Sequence, residues 1–237
     1  MLFSDHVALV TGANRGLGRA VAAAFVAAGA KKVYAASRSG DPIGVEGTVP
    51  VRIDVTDAET VRAAAQACPD VTLLINNAGV AGFGGPISAP STDTARHEME
   101  VNYFGTLTTI RGFAPVISAN GGGTIVNVAS ILAYGPIPQV GTYSATKAAV
   151  LSMTQSLRGE LAAKNIQVLA LCPAFVDTDM IAKVDQPKMT PEDVANALVE
   201  GVIAGTEEIF PGPSAGMAAA FRADPKGYER KIISFLA

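Results

Sequence analysis

The stretch that decides the fold is HVALVTGANRGLG, from His6 to Gly18. Its first five residues form a short apolar run with β-branched members, which is typical of a buried strand. TGANRGLG at residues 11–18 then supplies three glycines. The alanine-rich segment 19–28 has the apolar spacing of a helix, with Gly29 suited to its C-terminal end. Strand, glycine-rich turn and helix in this order predict an α/β fold that can hold an anion at the start of the helix.

The alternation of strand and helix continues along the chain. Further strands are predicted at residues 32–36, 49–53, 71–75, 123–129, 166–171 and 207–210. Helices are predicted at 57–67, 94–117, 143–164 and 191–204, with Asp57 and Thr190 as N-caps and Pro191 in a first helical position. Such alternation implies right-handed crossovers. We therefore predict a single-domain Rossmann fold over residues 1–237, a doubly wound parallel sheet of about seven strands with helices on both faces.

Composition excludes several classes of protein. Of the 237 residues, 49% are hydrophobic and 16% are charged, whereas a disordered chain is polar and highly charged. Two cysteines cannot form a disulfide framework, and no Cys/His cluster has metal-ligand spacing, so no metal is expected. A net charge of −3 lacks the basic footprint of a nucleic-acid-binding protein. No apolar run is long enough to span a bilayer and no leader is evident, which predicts a cytoplasmic protein without a membrane partner.

The three glycines of the turn have distinct predicted tasks. Gly12 permits a tight turn, Gly16 lets backbone N–H groups approach a pyrophosphate, and Gly18 lets the helix pack closely on the strand. Their spacing, G-x-x-x-G-x-G, differs from the commoner G-x-G-x-x-G. Alone, this spacing also fits a turn that binds nothing, but its position between a strand and a helix favours a nucleotide site.

The end of the second strand is where such folds recognise the adenosine ribose, and an acidic residue there excludes a 2′-phosphate. This chain has Ser37 and Arg38 at that point and no carboxylate. Arg38 offers a planar guanidinium to a phosphate, and Arg15 in the glycine turn is a second cation. The alternative is that Arg38 is a solvated surface residue that binds no phosphate. The two arginines and the missing acid favour NADP(H) over NAD(H).

Three further residues suit acid–base chemistry. Ser130 follows a predicted strand, and Tyr143 and Lys147 are one helical turn apart on one face. A lysine ammonium beside a phenol, together with a cationic nicotinamide, is expected to lower the pKa of Tyr143 by stabilising the phenolate. The serine hydroxyl can orient a carbonyl or alcohol oxygen. A helical Tyr/Lys pair is more often a solvated surface, so it is the order of the motifs that is informative.

These residues stand in the order typical of the short-chain dehydrogenase/reductase family, which the chain resembles from about residue 7 to residue 178. The resemblance rests on TGANRGLG (11–18), NNAG (76–79), the asparagine of VNYFG (101–105), Ser130 and YSATK (143–147). One departure is Ala174, since the family usually has glycine after the proline that is Pro173 here.

The resemblance implies a Ser-Tyr-Lys-Asn mechanism. Tyr143 is the expected acid in reduction and base in oxidation, Lys147 the ligand of the nicotinamide ribose, and Ser130 the partner of the substrate oxygen. Asn102 is expected to hold a water of a proton relay. Cofactor contacts are expected from Tyr143 and Lys147 and from Gly12, Asn14, Arg15, Gly16, Leu17, Gly18, Ser37, Arg38, Asp54, Val55, Asn77, Ala78, Gly79, Pro173, Val176 and Thr178. Asn76 is expected to be a structural hydrogen-bonding residue.

The implied reaction is hydride transfer between NADP(H) and a ketone or secondary alcohol. Expected substrate contacts are Ser130, Leu132, Gln139, Tyr143 and Phe175, with Val80, Phe83, Ile137, Met180 and Ile181 as further candidates for the pocket or the core. Most are apolar, which favours an uncharged hydrophobic ketone. Family members commonly carry a helical substrate cover after the position of Thr178. Here the loop 178–190 is short, which predicts an open cleft that admits bulky ketones.

Three alternatives stay open. Reduction of a carrier-bound 3-oxoacyl group uses the same fold, although the lack of an obvious basic patch argues against an acidic carrier. A non-catalytic NADP-binding regulator usually lacks the tyrosine or the lysine. A halohydrin dehalogenase lacks the nucleotide motif and has arginine in place of the lysine. This chain retains the tyrosine, the lysine and the glycine turn, so a reductase is the preferred interpretation.

The resemblance also implies a homotetramer or homodimer built on the predicted helices 94–117 and 143–164. The segment 211–237 departs from the family's usual ending, which makes the second tetramer interface doubtful. Its residues Phe221, Tyr228, Ile232 and Phe235 are expected either to cover a neighbouring subunit or to fold back over the cleft.

Overall fold

The computed structural model describes residues 3–234. One seven-stranded sheet forms its centre, in the order β3-β2-β1-β4-β5-β6-β7, and all paired strands are parallel. The strands are β1 (Val7–Thr11), β2 (Lys32–Ser37), β3 (Thr48–Arg52), β4 (Leu73–Asn76), β5 (Gly123–Val128), β6 (Ile166–Leu171) and β7 (Glu208–Ile209). The predicted doubly wound α/β fold is therefore confirmed, with strand ends within two residues of those expected.

Helices cover both faces of the sheet. They are α1 (Gly16–Ala27), α2 (Ala58–Ala67), α3 (Asp93–Met99), α4 (Thr106–Ala119), α5 (Gly141–Leu161), α6 (Pro191–Ala204), α7 (Ser214–Ala223) and α8 (Pro225–Ser234). One apolar core lies between the sheet and helices α1 and α6, and includes Phe25 and Leu198. The second lies between the sheet and helices α2, α4 and α5, and includes Phe113 and Leu157. No helix of the described residues is long and apolar enough to cross a membrane.

The helix ends follow the local sequence signals. The Asp57 carboxylate accepts a hydrogen bond from the Glu59 N–H at 2.9 Å, and the Thr190 hydroxyl accepts one from the Asp193 N–H at 3.0 Å. These are side-chain caps of the kind that stabilise free N–H groups at a helix start. Gly29 follows α1 with φ +82°, the left-handed conformation that glycine adopts without strain.

The helix predicted at 94–117 is not continuous, and this prediction is corrected. A π-helical segment, Glu100–Gly105, separates α3 from α4. It contains Asn102, whose side chain bonds to Val80 and Thr146 instead of facing solvent. Isolated π turns of this kind widen a helix locally and often occur at functional sites.

A buried polar chain crosses the carboxyl ends of the two central strands. The Thr109 hydroxyl donates to Asn76 Oδ1 at 2.6 Å, and Asn76 Nδ2 donates to Asn127 Oδ1 at 2.8 Å. Asn127 Nδ2 donates to the Thr154 hydroxyl at 2.9 Å. The chain thus joins α4, β4, β5 and α5, and it gives Asn76 the structural hydrogen bonds that were expected of it.

Candidate active site

A cavity of about 1470 Å³ lies at the carboxyl ends of the strands. This is the edge at which parallel α/β sheets bind ligands, beside the point where the strand order reverses between β1 and β4. The cavity exceeds the ~300–1000 Å³ typical of small-molecule sites. Apart from Asn102, all residues predicted to contact cofactor or substrate lie on its wall.

The glycine turn forms one end of this cavity. Gly12 and Gly16 have φ values of +64° and +51°, which other residues adopt only with strain. A Cβ atom on Gly18 would lie 2.2 Å from the Gly12 carbonyl oxygen, so only glycine lets α1 approach the turn. A Cβ atom on Gly16 would lie 3.1 Å from Cγ2 of Thr178. The turn and the loop after β6 therefore face each other.

Asn77 holds the glycine turn against the end of β4. Its Nδ2 donates to the carbonyl oxygens of Thr11 at 2.9 Å and Gly12 at 3.2 Å. The Thr11 hydroxyl in turn accepts from the backbone N–H groups of Asn77 and Ala78, both at 3.0 Å. These bonds fix the position of the turn relative to Ala78 and Gly79.

Polar residues follow β2 and β3 at the other side of the turn. Ser37 is buried and Arg38 is exposed on the cavity wall. Asp54, after β3, accepts hydrogen bonds from the Thr56 hydroxyl and N–H, which hold the pKa of its carboxyl below the usual value, with smaller effects from the charges of Arg38 and Arg52. Ser39 also lines the cavity. It was not predicted, although its place beside Arg38 was an available signal.

Ser130 lies two residues after the end of β5 and caps a short 3₁₀ turn. Its hydroxyl accepts from the Leu132 N–H at 3.1 Å and donates to the Pro173 carbonyl oxygen at 3.4 Å. The side chain is buried in the protein but lies on the cavity wall. The orientation of the hydroxyl is therefore fixed by Leu132 in the same loop and by Pro173 in the loop after β6.

Tyr143 and Lys147 lie in the first two turns of α5 and both face the cavity. Burial lowers the pKa of Lys147 to about 8. Burial also raises the pKa of Tyr143, and the charge of Glu98 raises it further. The sequence led us to expect the opposite direction for the lysine together with a bound cationic nicotinamide. In the protein by itself, desolvation of the phenolate is the largest effect on Tyr143.

Asn102 lies behind the cavity wall and is buried. Its Oδ1 accepts from the Val80 N–H at 2.8 Å, and its Nδ2 donates to the Val80 carbonyl oxygen at 2.9 Å and to the Thr146 hydroxyl at 2.9 Å. A Cβ atom on Gly79 would lie 3.2 Å from Asn102 Oδ1 and 3.6 Å from Lys147 Nζ. The missing side chain of Gly79 thus leaves space between the asparagine and the lysine.

On the predicted substrate side of the cavity, Leu132, Ile137, Gln139 and Phe175 lie on the wall as expected. Three further segments complete this side. The first is the loop after β4, with Val80, Ala81 and Phe83. The second is the loop after Thr178, which brings Met180, Ile181, Val184 and Gln186 to the wall. The third is the C-terminal helix pair, which contributes Met217, Ala220, Tyr228, Lys231 and Ile232. His97 also lines the cavity.

The C-terminal helices correct the prediction of an open cleft. They fold back over the cleft, so the short loop 178–190 is not its only cover among the described residues. The Tyr134 hydroxyl at 2.9 Å and the Arg222 guanidinium at 2.5 Å both bond to Glu208 Oε2, which ties α7 to β7. Phe221 packs between Tyr134 and Tyr228. Phe235 lies outside the described residues.

Comparison with known proteins assigns the family. The family model of short chain dehydrogenases matches residues 6–189. An uncharacterized oxidoreductase of Staphylococcus aureus (strain MW2) is 32% identical over 211 residues, which are 84% of this chain and 91% of that protein.

Two solved structures have the same fold. A short chain dehydrogenase from Burkholderia cenocepacia J2315, in complex with NADP, is 39% identical with a TM-score of 0.93, over 98% of this chain and 99% of that one. A 3-ketoacyl-(acyl-carrier-protein) reductase from Brucella melitensis, complexed with NADH, is 29% identical with a TM-score of 0.78, over 88% of this chain and 98% of that one. Taken with the family match over most of its length, these similarities show that the chain belongs to the short chain dehydrogenase family of oxidoreductases.

Proposed function

We propose that this protein is an NADP(H)-dependent carbonyl reductase, or alcohol dehydrogenase in the reverse direction, that acts on hydrophobic ketones. The observation that carries the proposal is that Ser130, Tyr143 and Lys147 share one cavity with the glycine turn and with Arg38. A dinucleotide-dependent reductase requires acid–base side chains at one end of the cavity and a site for the nucleotide phosphates at the other.

The residues present fit an NADP(H) cofactor. Gly12 and Gly16 have positive φ angles and no side chain caps the start of α1, so its first backbone N–H groups can bind a pyrophosphate. Arg38, with the hydroxyl groups of Ser37 and Ser39 next to it, supplies a cation and donors for a 2′-phosphate. The Burkholderia cenocepacia relative is bound to NADP, which supports the same choice here.

The protein's own groups would carry the proton chemistry. The cofactor, when bound, supplies a hydride for reduction of a carbonyl carbon. Ser130 would donate a hydrogen bond to the carbonyl oxygen, and Tyr143 would give its phenolic proton to that oxygen. Lys147, when protonated, would favour the resulting phenolate. The space beside Gly79, between Lys147 and Asn102, is the route by which we propose the proton is replaced.

The substrate would be an uncharged ketone of considerable size. Leu132, Phe175 and the apolar side chains of the C-terminal helices supply an apolar wall, and Gln139 a polar group at its edge. Such a wall favours hydrophobic substrates through the burial of apolar surface.

A 3-oxoacyl group on a carrier is the second candidate. The similarity to the Brucella melitensis 3-ketoacyl reductase favours it. The chemistry is the same, since this group is also a ketone, and the difference lies in what binds at the cavity mouth. A regulator that binds NADP without turnover is the non-enzymatic alternative.

One experiment separates these functions. Oxidation of NADPH is followed at 340 nm with small ketones, bulky aryl ketones and a 3-oxoacyl thioester, and each assay is repeated with NADH. We expect turnover of bulky ketones with NADPH. Turnover restricted to very small ketones, or a preference for NADH, would contradict the proposal. Binding of NADPH without oxidation by any ketone would support the regulator.

We further propose that the chain acts as a single domain in a homodimer or homotetramer built on α4 and α5. A surface groove between these helices is lined by Tyr103, Leu107, Met153 and Leu157, and Phe104 is exposed. Light scattering after size-exclusion chromatography tests this directly. A monomer at micromolar concentration would contradict it.

A further inference from the structure

Glu98 is a buried carboxylic acid on α3, with 1% of its surface exposed. Its Oε1 accepts a hydrogen bond from the Gly82 N–H at 2.7 Å. Its Oε2 is also buried and has no hydrogen-bond partner within residues 3–234. Because a buried carboxyl oxygen without a partner is costly, its presence beside a reaction site points to a role other than packing.

Glu98 and Asn102 act on the same short segment of chain. Asn102, one turn later, bonds to both the N–H and the carbonyl oxygen of Val80, while Glu98 bonds to the N–H of Gly82. The residue between them, Ala81, and Val80 itself line the cavity. Two side chains from successive helical turns therefore hold the two ends of segment 80–82.

The surroundings of the Glu98 carboxylate also include the reacting tyrosine. Its charge raises the pKa of Tyr143, in addition to the larger effect of burial. The Lys147 ammonium, one turn later on α5, lies 5.5 Å from the centre of the Tyr143 ring. Other titratable groups on the wall of the same cavity include His97 on α3 and Tyr228 and Lys231 on α8. Unlike these groups, Glu98 is a carboxylate, and it is buried.

We propose that Glu98 is a positioning residue for the proposed reaction, which holds segment 80–82 against the cavity with one carboxylate oxygen and keeps its charge buried beside the site with the other. The inference rests on the proposed function. The Glu98 side chain has two effects, its hydrogen bond to Gly82 and its charge. Different substitutions remove each of them.

The test compares Glu98→Gln with Glu98→Ala. Glutamine retains the size of the side chain and an acceptor for the Gly82 N–H but removes the charge, whereas alanine removes both. Glu100→Gln and Glu100→Ala are matched controls, because Glu100 is exposed and lies two residues along the chain, outside the cavity wall. For each protein we would measure NADPH affinity by fluorescence, kcat/KM for alcohol oxidation against pH, and tyrosinate absorbance at 295 nm against pH, with Tyr143→Phe subtracted.

We expect Glu98→Gln to bind NADPH as the parent does and to shift both pH profiles down by about half a unit or more, since a like charge no longer opposes the phenolate. Glu98→Ala should in addition bind NADPH about 5- to 10-fold more weakly, as loss of one buried hydrogen bond predicts. The Glu100 variants should match the parent. Unshifted profiles in Glu98→Gln would overturn the inference, and this variant keeps the test valid if Glu98→Ala does not fold.

The outcome is distinguishable from a failure of the proposed function. If the parent protein oxidises no alcohol and reduces no ketone, the proposed reaction is wrong. The absorbance titration and the NADPH affinity still report on Glu98 in that case, because neither depends on turnover.

Discussion

The ammonium nitrogen of Lys147 lies 5.5 Å from the centre of the Tyr143 ring and donates a 2.7 Å hydrogen bond to the carbonyl oxygen of Val128. The lysine therefore joins the start of α5 to the last residue of β5, two residues before Ser130. Its burial disfavours the charged form and lowers the pKa of Lys147 to about 8, so the lysine changes protonation close to neutral pH.

Lys147 should make stability depend on pH. Its pKa is lowered in the folded state to about 8 from 10.5, so between these values the unfolded chain binds more protons and stability increases with pH. Relative to Lys147→Met, the free energy of unfolding of the parent should rise by about 2 kcal/mol between pH 8 and 10. Urea unfolding of both proteins at several pH values measures it. A constant difference across this range would contradict the burial of the charge.

Removal of the Tyr143 hydroxyl should abolish turnover. Tyr143→Phe should lower kcat by about 100- to 10,000-fold, the usual contribution of a general acid, with NADPH affinity retained. Tyr103→Phe is the matched control, because Tyr103 lies outside the cavity in the α4–α5 groove. If Tyr143→Phe retained most of the activity, another proton donor would have to be sought on the cavity wall.

A methyl group at Gly79 should interfere with the space between Asn102 and Lys147. Gly79 does not have a positive φ angle, so Gly79→Ala tests this space without backbone strain. We expect kcat to fall about 10-fold or more, as small displacements in a site can cause, with little change in thermal stability. Gly159→Ala is the control, because a Cβ atom there meets nothing within 4 Å. Equal activity of the two variants would show that the space is not used.

Reversal of the charge at Arg38 should change the cofactor preference. Arg38→Asp removes the proposed partner of the 2′-phosphate and should weaken NADPH binding about 10- to 100-fold while NADH binding is kept or improved. Arg52→Asp is a suitable control, since Arg52 also affects Asp54 but does not line the cavity. Equal loss of both cofactors in Arg38→Asp would indicate a structural role for this arginine.

Truncation of Tyr228 should affect large substrates selectively. The ring packs against Gly135, where a Cβ atom would lie 2.3 Å from Tyr228 Cε1. Tyr228→Ala should lower kcat/KM for bulky aryl ketones about 10-fold through lost apolar contact and leave very small ketones unaffected. Ile203→Ala, on the exposed side of α6, controls for general loss of apolar surface. A uniform decrease for ketones of every size would argue against a substrate contact.

The sequence predicted the elements whose signals are local. The bounds of β6 and the start of α6 at Pro191 agree with the structure, because a continuous apolar run and an N-cap with proline are decided by neighbouring residues. The glycine turn and the Tyr143/Lys147 pair were equally accessible, since each lies within one short motif.

Features that depend on distant contacts were missed or left undecided. The π turn at Asn102 arises from bonds to Val80 and Thr146, which no periodicity of 94–117 reveals. For the C-terminal segment the sequence left two alternatives, and the one observed, over the cleft, depends on a contact between Gly135 and Tyr228, which are far apart in the sequence. The direction of the Tyr143 pKa shift required the burial of that side chain and the position of Glu98, both of which follow only from packing.

Two regions of the molecule should differ in how well they tolerate substitution. One is the buried polar chain from Thr109 to Thr154, and the other is the cover formed by the loop after β4, the loop after Thr178 and the C-terminal helices. These amides and hydroxyls fix α4, which follows the π turn with Asn102, and α5, which carries Tyr143. Substitutions there would therefore damage the chemistry for any substrate. The segments of the cover lie far apart in sequence, and none of them carries Ser130, Tyr143 or Lys147. New substrate ranges should therefore be obtained by recombining loop 179–189 and helices α7 and α8 between relatives, with the strands and α5 left unaltered.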